Sequence, residues 1–219
     1  MRKCQRIKIV VFDVDGVLTC IDSVWRYLHI NLGTWNIAKK HYLLFKNKMI
    51  TYEQWAKYDV NLWKNTPLKR VEEILDKVPV RDGATELIDF LKTKNLMTFA
   101  ISAGLDVLTD KVSRKLGIDY TFSNKLVVKN GFLTGDVIVN VDFYSKGKII
   151  DEICEKFKVT RENIVVVGDS EVDIPMMRKS CFSIAFNSSS YKVVSISDIA
   201  IYSSSLRILY PIFKKLLST

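Results

Sequence analysis

Short apolar runs recur along the chain. IKIVVF (7–12) is β-branched and uninterrupted, as expected of a strand buried on both faces. LMTFAIS (96–102), NIVVVG (163–168) and FSIAF (182–186) repeat the pattern. Between these runs apolar residues fall at helical spacing. Leu87, Ile88 and Leu91 form one such stripe, Val107, Leu108, Val112 and Leu116 a second, and Ile149, Ile150, Ile153 and Phe157 a third. Strand followed by helix, repeated, predicts an α/β fold built on a doubly wound parallel sheet with helices on both faces.

Two segments interrupt that rhythm. LVVKNGFLTGDVIV (126–139) sets Asn130-Gly131 between apolar runs and predicts a β-hairpin. Residues 23–78 read as entirely helical and are rich in aromatics, with Trp25, Trp35, Trp55 and Trp63 among them. Thr51 with Gln54 forms a capping-box pattern, and Thr66-Pro67 opens a further helix. Because this block follows the first strand directly, it is expected to be an inserted helical cap. The division is then a core of residues 1–21 and 79–219 and a cap of residues 22–78. SLRILYPIFKKLL (205–217) predicts a terminal helix broken at Pro211.

Composition narrows the function classes. At 219 residues, 48% hydrophobic and 26% charged, the chain is expected to fold as one domain with a modest insert. A net charge of +9 favours anionic partners. No Lys/Arg tract interleaved with aromatics is present, so nucleic acid is not the expected one. Cys4, Cys20, Cys154 and Cys181 form no CxxC, and with only His29 and His41 a zinc site is not expected. Scattered thiols suit a reducing, cytoplasmic setting. Asp13 and Asp15 cut the first apolar run too short for a signal peptide, and no run has transmembrane length.

The chemistry collects at strand ends, where open α/β sheets form their ligand crevice. The first strand ends in Asp13 and Asp15, the second in Ser102, and the third in Asp169 with Asp173 close behind. Lys146 begins the helix before that third strand. Clustered acids repel one another and call for a cation, and hard oxygen donors select Mg²⁺. Asp13, Asp15, Asp169 and Asp173 are the candidate metal set, with Asp173 holding the ion directly or through water. Asp13 could attack phosphorus to form an aspartyl-phosphate. Asp15 could protonate the leaving oxygen and later deprotonate water. Ser102 and Lys146 would bind the phosphoryl oxygens.

This set resembles the haloacid dehalogenase superfamily. DVDGVLT is similar to its DxDGxxT motif, ISAG to its Ser/Thr motif, Lys146 to its lysine and GDSEVD to its GDxxxD motif. GIDYTFSNKLVVKNGFLTGDV looks like the stretch after the second motif in phosphoserine phosphatase-like members, and the insert lies where those members carry a small cap. The resemblance covers residues 8–201 and implies a cytoplasmic, Mg²⁺-dependent phosphatase of a small phosphomonoester, monomeric or homodimeric. It places Ala103 and Gly104 beside Ser102 at the substrate.

The likeness fails where the amino acid would be read. Asp22 stands for the family's Glu, Asp59 for its cap Arg, Val172 for an Asn and Ala103 for a Gly. An acid does not bind a carboxylate as Arg does, so strict use of phosphoserine is not expected. Trp55, Asp59, Leu62 and Trp63 share one helical face. That face either looks onto the active site and reads a polyol or nitrogenous phosphate, or packs inside the cap with Asp59 solvated. Three rivals stand beside the phosphatase. One is a capless-type sugar-acid phosphatase, one a phosphomutase, and one a non-catalytic basic module that binds phosphate or nucleic acid.

Overall fold

The computed structural model describes Cys4 and residues 6–218. Strand β1 (Ile9–Phe12) is buried at every residue. Its odd and even positions diverge to the two faces of the sheet. Val10 and Phe12 enter a cluster with Leu87, Leu91, Leu108 and Phe213; Ile9 and Val11 enter a second with Ile101, Ile150, Ile153 and Met176. A strand covered on both faces has no solvent side on which to alternate, hence the unbroken IVVF.

Strands β2 (Met97–Leu105), β3 (Tyr120–Lys129), β4 (Phe132–Ile138), β5 (Ile164–Gly168), β6 (Phe182–Phe186) and β7 (Ile199–Ile201) join β1 in one sheet. The order is β4-β3-β2-β1-β5-β6-β7, and every neighbouring pair except β3–β4 is parallel. Helices α5 (Ala84–Thr93), α6 (Asp106–Leu116) and α10 (Tyr210–Leu217) cover one face; α7 (Lys146–Phe157), α8 (Ile174–Met177) and α9 (Tyr191–Ile196) cover the other. Phe12 lies opposite Ala100 on one side and Val167 on the other, so the three central strands run level. The chain leaves β1 for β2 on one side and later returns to β5 on the other, which opens a crevice at this edge.

The expected doubly wound sheet and hairpin are present, with three differences. The hairpin's first strand begins early, at Tyr120, and its initial residues pair with β2 before the chain turns to pair with β4. Strand β7, only three residues long, carries no pattern to read. Pro211 does not break a helix midway: it sits in the first turn of α10, after a single 3₁₀ turn at Leu206–Leu209, where its missing N–H costs nothing.

Helices α1 (Val24–Asn31), α2 (Trp35–Lys46), α3 (Tyr52–Asn61) and α4 (Leu68–Leu75) form the inserted block. Thr51 and Gln54 close their capping box on α3. All four tryptophans lie in this block. Trp25 and Trp63 stack at 5.8 Å and belong to the same cluster as Phe12, so the block shares the hydrophobic core of the sheet. The hairpin also grips it: Asn65 donates to the Leu133 carbonyl, Leu133 to that of Thr66, and Leu68 to that of Gly131. These bonds cover an edge that would otherwise be open.

The cysteines correct the expectation of scattered thiols. Cys4 and Cys181 form a disulfide across 177 residues of sequence, leaving Cys20 and Cys154 free. Asn163 holds the approaching segment by donating to the Arg6 carbonyl. Spacing along the chain carries no information about such a closure. Among the described residues no helix is long and apolar enough to cross a membrane.

Candidate active site

Asp13 follows β1 and extends its ladder, donating from its backbone to the Val167 carbonyl. The chain then turns sharply through residues 14–18. Gly16 has φ of +80°, and a Cβ there would lie 2.2 Å from Asp169 Oδ2, so the turn needs glycine twice over. Thr19 donates backbone N–H and hydroxyl to the Val14 carbonyl, at 2.9 and 3.2 Å. Arg81 clamps the same turn, with Nε to the Val17 carbonyl at 2.8 Å and Nη2 to those of Gly16 and Thr19 at 2.7 and 3.1 Å.

The pocket above these strand ends has a volume of about 180 Å³ and is lined by Asp13, Asp15, Ser102, Gly104, Lys146 and Asp169, among others. Lys146 is buried and donates from Nζ to Asp13 Oδ1 and Asp173 Oδ1, both at 2.7 Å. Asp173 lies beneath the pocket and has both oxygens engaged. Its Oδ2 accepts from the backbone N–H groups of Asp169 and Ser170 and from the Ser170 hydroxyl. It therefore organises the loop after β5 as much as it contributes charge.

Electrostatics follow from burial. Desolvation, with Asp173 next, pushes Asp13 up to about 7 against the pull of Lys146. Desolvation, then Asp173 and Asp13, pushes Asp169 up to about 9. Asp15 rises to about 6, again mainly by burial, opposed by the backbone N–H of Val24. Burial acts against the Lys146 ammonium, but Asp13 and Asp173 outweigh it and hold Lys146 above its ordinary value. Carboxyl oxygens of Asp13, Asp169 and Asp173 approach within 4.8 Å of one another. This all-oxygen set suits a hard divalent cation such as Mg²⁺.

A family model described as haloacid dehalogenase-like hydrolase matches residues 7–180. The chain belongs to this family. A phosphoserine phosphatase of Methanocaldococcus jannaschii is 33% identical over 186 residues, covering 83% of this chain and 86% of that one. A phosphoserine phosphatase of Albidiferax ferrireducens is 28% identical over 213 residues, covering 94% and 90%. Among solved structures, a phospho-aspartyl intermediate analogue of phosphoserine phosphatase superposes with a TM-score of 0.82 at 31% identity, covering 95% of this chain and 99% of that one. A substrate-bound phosphoserine phosphatase complex gives 0.82 at 30% identity, covering 95% and 99%. The chain is thus a haloacid dehalogenase-like phosphatase, a phosphomonoester hydrolase.

Within this hydrolase the predicted residues separate into three places. Asp13, Asp15, Ser102, Ala103, Gly104, Lys146 and Asp169 line the pocket, and Asp173 supports it from below. Asp22, Trp25 and Trp55 line both this pocket and an adjoining cavity of about 340 Å³ beneath the helical block; Asp59 lines only the latter. Asp15 stands apart from the other acids of the metal set. Its Oδ2 accepts from Val24 N at 2.7 Å, at the start of α1, and its Oδ1 is buried without a hydrogen-bond partner among the described residues. Turned toward the helical block, the Asp15 carboxylate does not join the cluster of Asp13, Asp169 and Asp173. Ser102 accepts from Gly104 N at 2.9 Å and does not cap α6, which starts four residues later. The Trp55–Trp63 face divides: Trp55 and Asp59 reach the cavity, whereas Trp63 packs on Trp25. Asp59 is not solvated; it is 1% exposed and lies between two histidines.

Two features escaped the sequence reading. Arg81 has no motif, because its partners are backbone carbonyls that any residues supply. The Ala103 carbonyl accepts from Trp25 Nε1, Tyr52 Oη and Asn124 Nδ2, at 3.0, 2.7 and 3.0 Å. Two helices of the block and a sheet strand thereby meet at the residue beside Ser102. A carbonyl has no side-chain signature, so nothing in the pattern marked it.

Proposed function

We propose that this chain hydrolyses a small phosphomonoester with Mg²⁺ through an aspartyl-phosphate on Asp13. The observation that carries the reading is the convergence of Asp13, Asp15, Ser102, Lys146 and Asp169 on one small pocket. Lys146 engages Asp13 Oδ1, so Oδ2 is the oxygen left to attack phosphorus. The alcohol oxygen then takes a proton from Asp15, whose pKa of about 6 lets part of it be protonated near neutral pH. In the second half Asp15 takes a proton from water, water attacks phosphorus, and phosphate leaves Asp13. Ser102 and Lys146 bind phosphoryl oxygens throughout. Asp13 and Asp169 would hold Mg²⁺, with Asp173 directly or through water. The ion would offset the charge of the carboxylates and of the phosphoryl group.

Residues 22–78 act in this proposal as a cap that excludes water and sets specificity. Strict use of phosphoserine is not part of it, because Asp59 stands where an Arg would meet the carboxylate. Phosphoserine is the second reading. The names of the similar proteins and the presence of Arg26 at the cavity rim favour it. The proposal also places the enzyme in the cytoplasm. The Cys4–Cys181 bond, which reducing compartments disfavour, argues against that location; fractionation with thiol trapping tests it.

The test is phosphate release from a panel of phosphomonoesters with and without Mg²⁺, beside Asp13→Asn. Turnover that requires both Mg²⁺ and Asp13 supports the reading; no release from any ester refutes it.

A further inference from the structure

The cavity under the helical block adjoins the catalytic pocket, and Asp22, Trp25 and Trp55 line both. At about 340 Å³ it is nearly twice the volume of the pocket that would hold the phosphoryl group. The alcohol half of a substrate bound at Asp13 would extend into it. Its walls are aromatic: Trp25, Trp35, Trp55, Tyr42 and Phe143. Its innermost polar groups are His29 and Asp59, each 1% exposed.

The inner end is built around the Asp59 carboxylate. Asp59 Oδ1 lies 2.7 Å from His41 Nδ1, and Oδ2 lies 3.2 Å from His29 Nε2 without the alignment of a hydrogen bond. The Trp63 indole N–H, which can only donate, faces His29 Nδ1 at 3.2 Å. The Thr34 hydroxyl lies 2.7 Å from His29 Nδ1 and accepts from the Trp63 indole at 3.2 Å as well, so His29 is held in a polar cluster behind Asp59. A buried carboxylate facing indole rings is an environment for a cation. The wall already holds one: the Arg26 guanidinium lies 5.5 Å from the Trp35 ring centroid. The Trp55 indole N–H is buried and has no hydrogen-bond partner among the described residues, which leaves a donor at this wall.

We infer that the substrate's alcohol carries a cationic nitrogen and no carboxylate, an aminoalkyl or quaternary-ammonium phosphate whose cation sits among Trp25, Trp35 and Trp55 against Asp59. This rests on the phosphatase reading above. A carboxylate seated among these indoles would face Asp59 and be repelled; only at the rim, where Arg26 lies against Trp35, would it meet a cation.

The test compares two esters of one shape, phosphocholine and 3,3-dimethylbutyl phosphate, which differ only in replacing charged nitrogen by carbon. Phosphoserine and p-nitrophenyl phosphate complete the set. The expected result is kcat/KM at least about 10-fold higher for phosphocholine than for its neutral isostere. It should also exceed that for phosphoserine, and Asp59→Asn should shrink the ratio between the isosteres. Equal rates for the isosteres, or phosphoserine as the preferred ester, overturn the inference while leaving the phosphatase intact. If no ester is hydrolysed, binding decides. Tryptophan fluorescence of Asp13→Asn, titrated with each isostere without Mg²⁺, should still favour phosphocholine; equal affinities overturn the inference.

Discussion

Replacing Lys146 by Met tests how the buried charges are balanced. The ammonium is 1% exposed and lies 2.7 Å from one oxygen each of Asp13 and Asp173. Met keeps much of the volume and removes the charge, leaving two carboxylates facing each other without a counter-ion. Breaking a buried pair from one side costs about 3–5 kcal/mol. That is a large share of the roughly 5–15 kcal/mol that holds a domain folded. The loss must depend on pH. Asp13 already has a folded pKa of about 7, above its unfolded value of 3.8, so the folded state binds the extra proton. Its contribution to stability is therefore greatest at acid pH and declines as pH rises from 3.8 toward 7. Without Lys146 the folded pKa of Asp13 moves higher, and the decline continues to higher pH. Lys146 itself is held above 10.5, so its stabilisation in the wild type is present across this whole range. Urea unfolding in EDTA at pH 5 and pH 8 measures both effects. The variant should lose more at pH 8 than at pH 5, and a further Asp173→Asn change should recover part of the loss at pH 8. A loss that is the same at both pH values, or under about 1 kcal/mol, would refute the charge-balance argument.

Three other outcomes are expected. Asp169→Asn removes a carboxylate whose pKa is raised to about 9, so the metal-free variant should unfold at higher temperature than wild type at pH 8, and Mg²⁺ should no longer raise its Tm. Arg81→Ala leaves the Gly16, Val17 and Thr19 carbonyls without their guanidinium; kcat should fall at least about 10-fold, with stability lower by about 1–3 kcal/mol in urea. If Asp15 protonates the leaving alcohol, it must be protonated to act, so single-turnover alcohol release should slow as pH rises through about 6. Asp15→Asn should lower that step by about 10²–10⁴-fold and flatten its pH profile.

Much of the molecule was legible in the linear pattern because its physical causes are local. An unbroken IVVF suits a strand covered on both faces, and Asn130-Gly131 readily takes the positive φ that this tight turn needs at both residues. The Thr51–Gln54 box closes within one turn of helix. The acids were legible for a related reason. Asp13, Ser102 and Asp169 each follow an apolar run, and parallel strands bring such positions to one edge. Where the cause was distant, the pattern was silent. The bond between Cys4 and Cys181 joins opposite ends of the chain, and β7 has too few residues to carry a period. Arg81 and the Ala103 carbonyl act through the backbone of segments far away in sequence.

The division is clearest at Asp15 and Asp59. The sequence by itself determined the strand-and-helix alternation, the chemical identity of the acids, lysine and serine at the strand ends, and the lack of an Arg at residue 59. Each depends on residue type and on spacing of a few positions. Only the tertiary structure decided where those charges point. It turned Asp15 toward Val24 and away from the other acids, put Asp173 under Lys146, and buried Asp59 between His29 and His41 beside a cavity walled by tryptophans. Direction and burial come from packing between segments remote in sequence, and it is burial, by removing water, that turns an ordinary carboxylate into one that must find a proton, a metal or a cation.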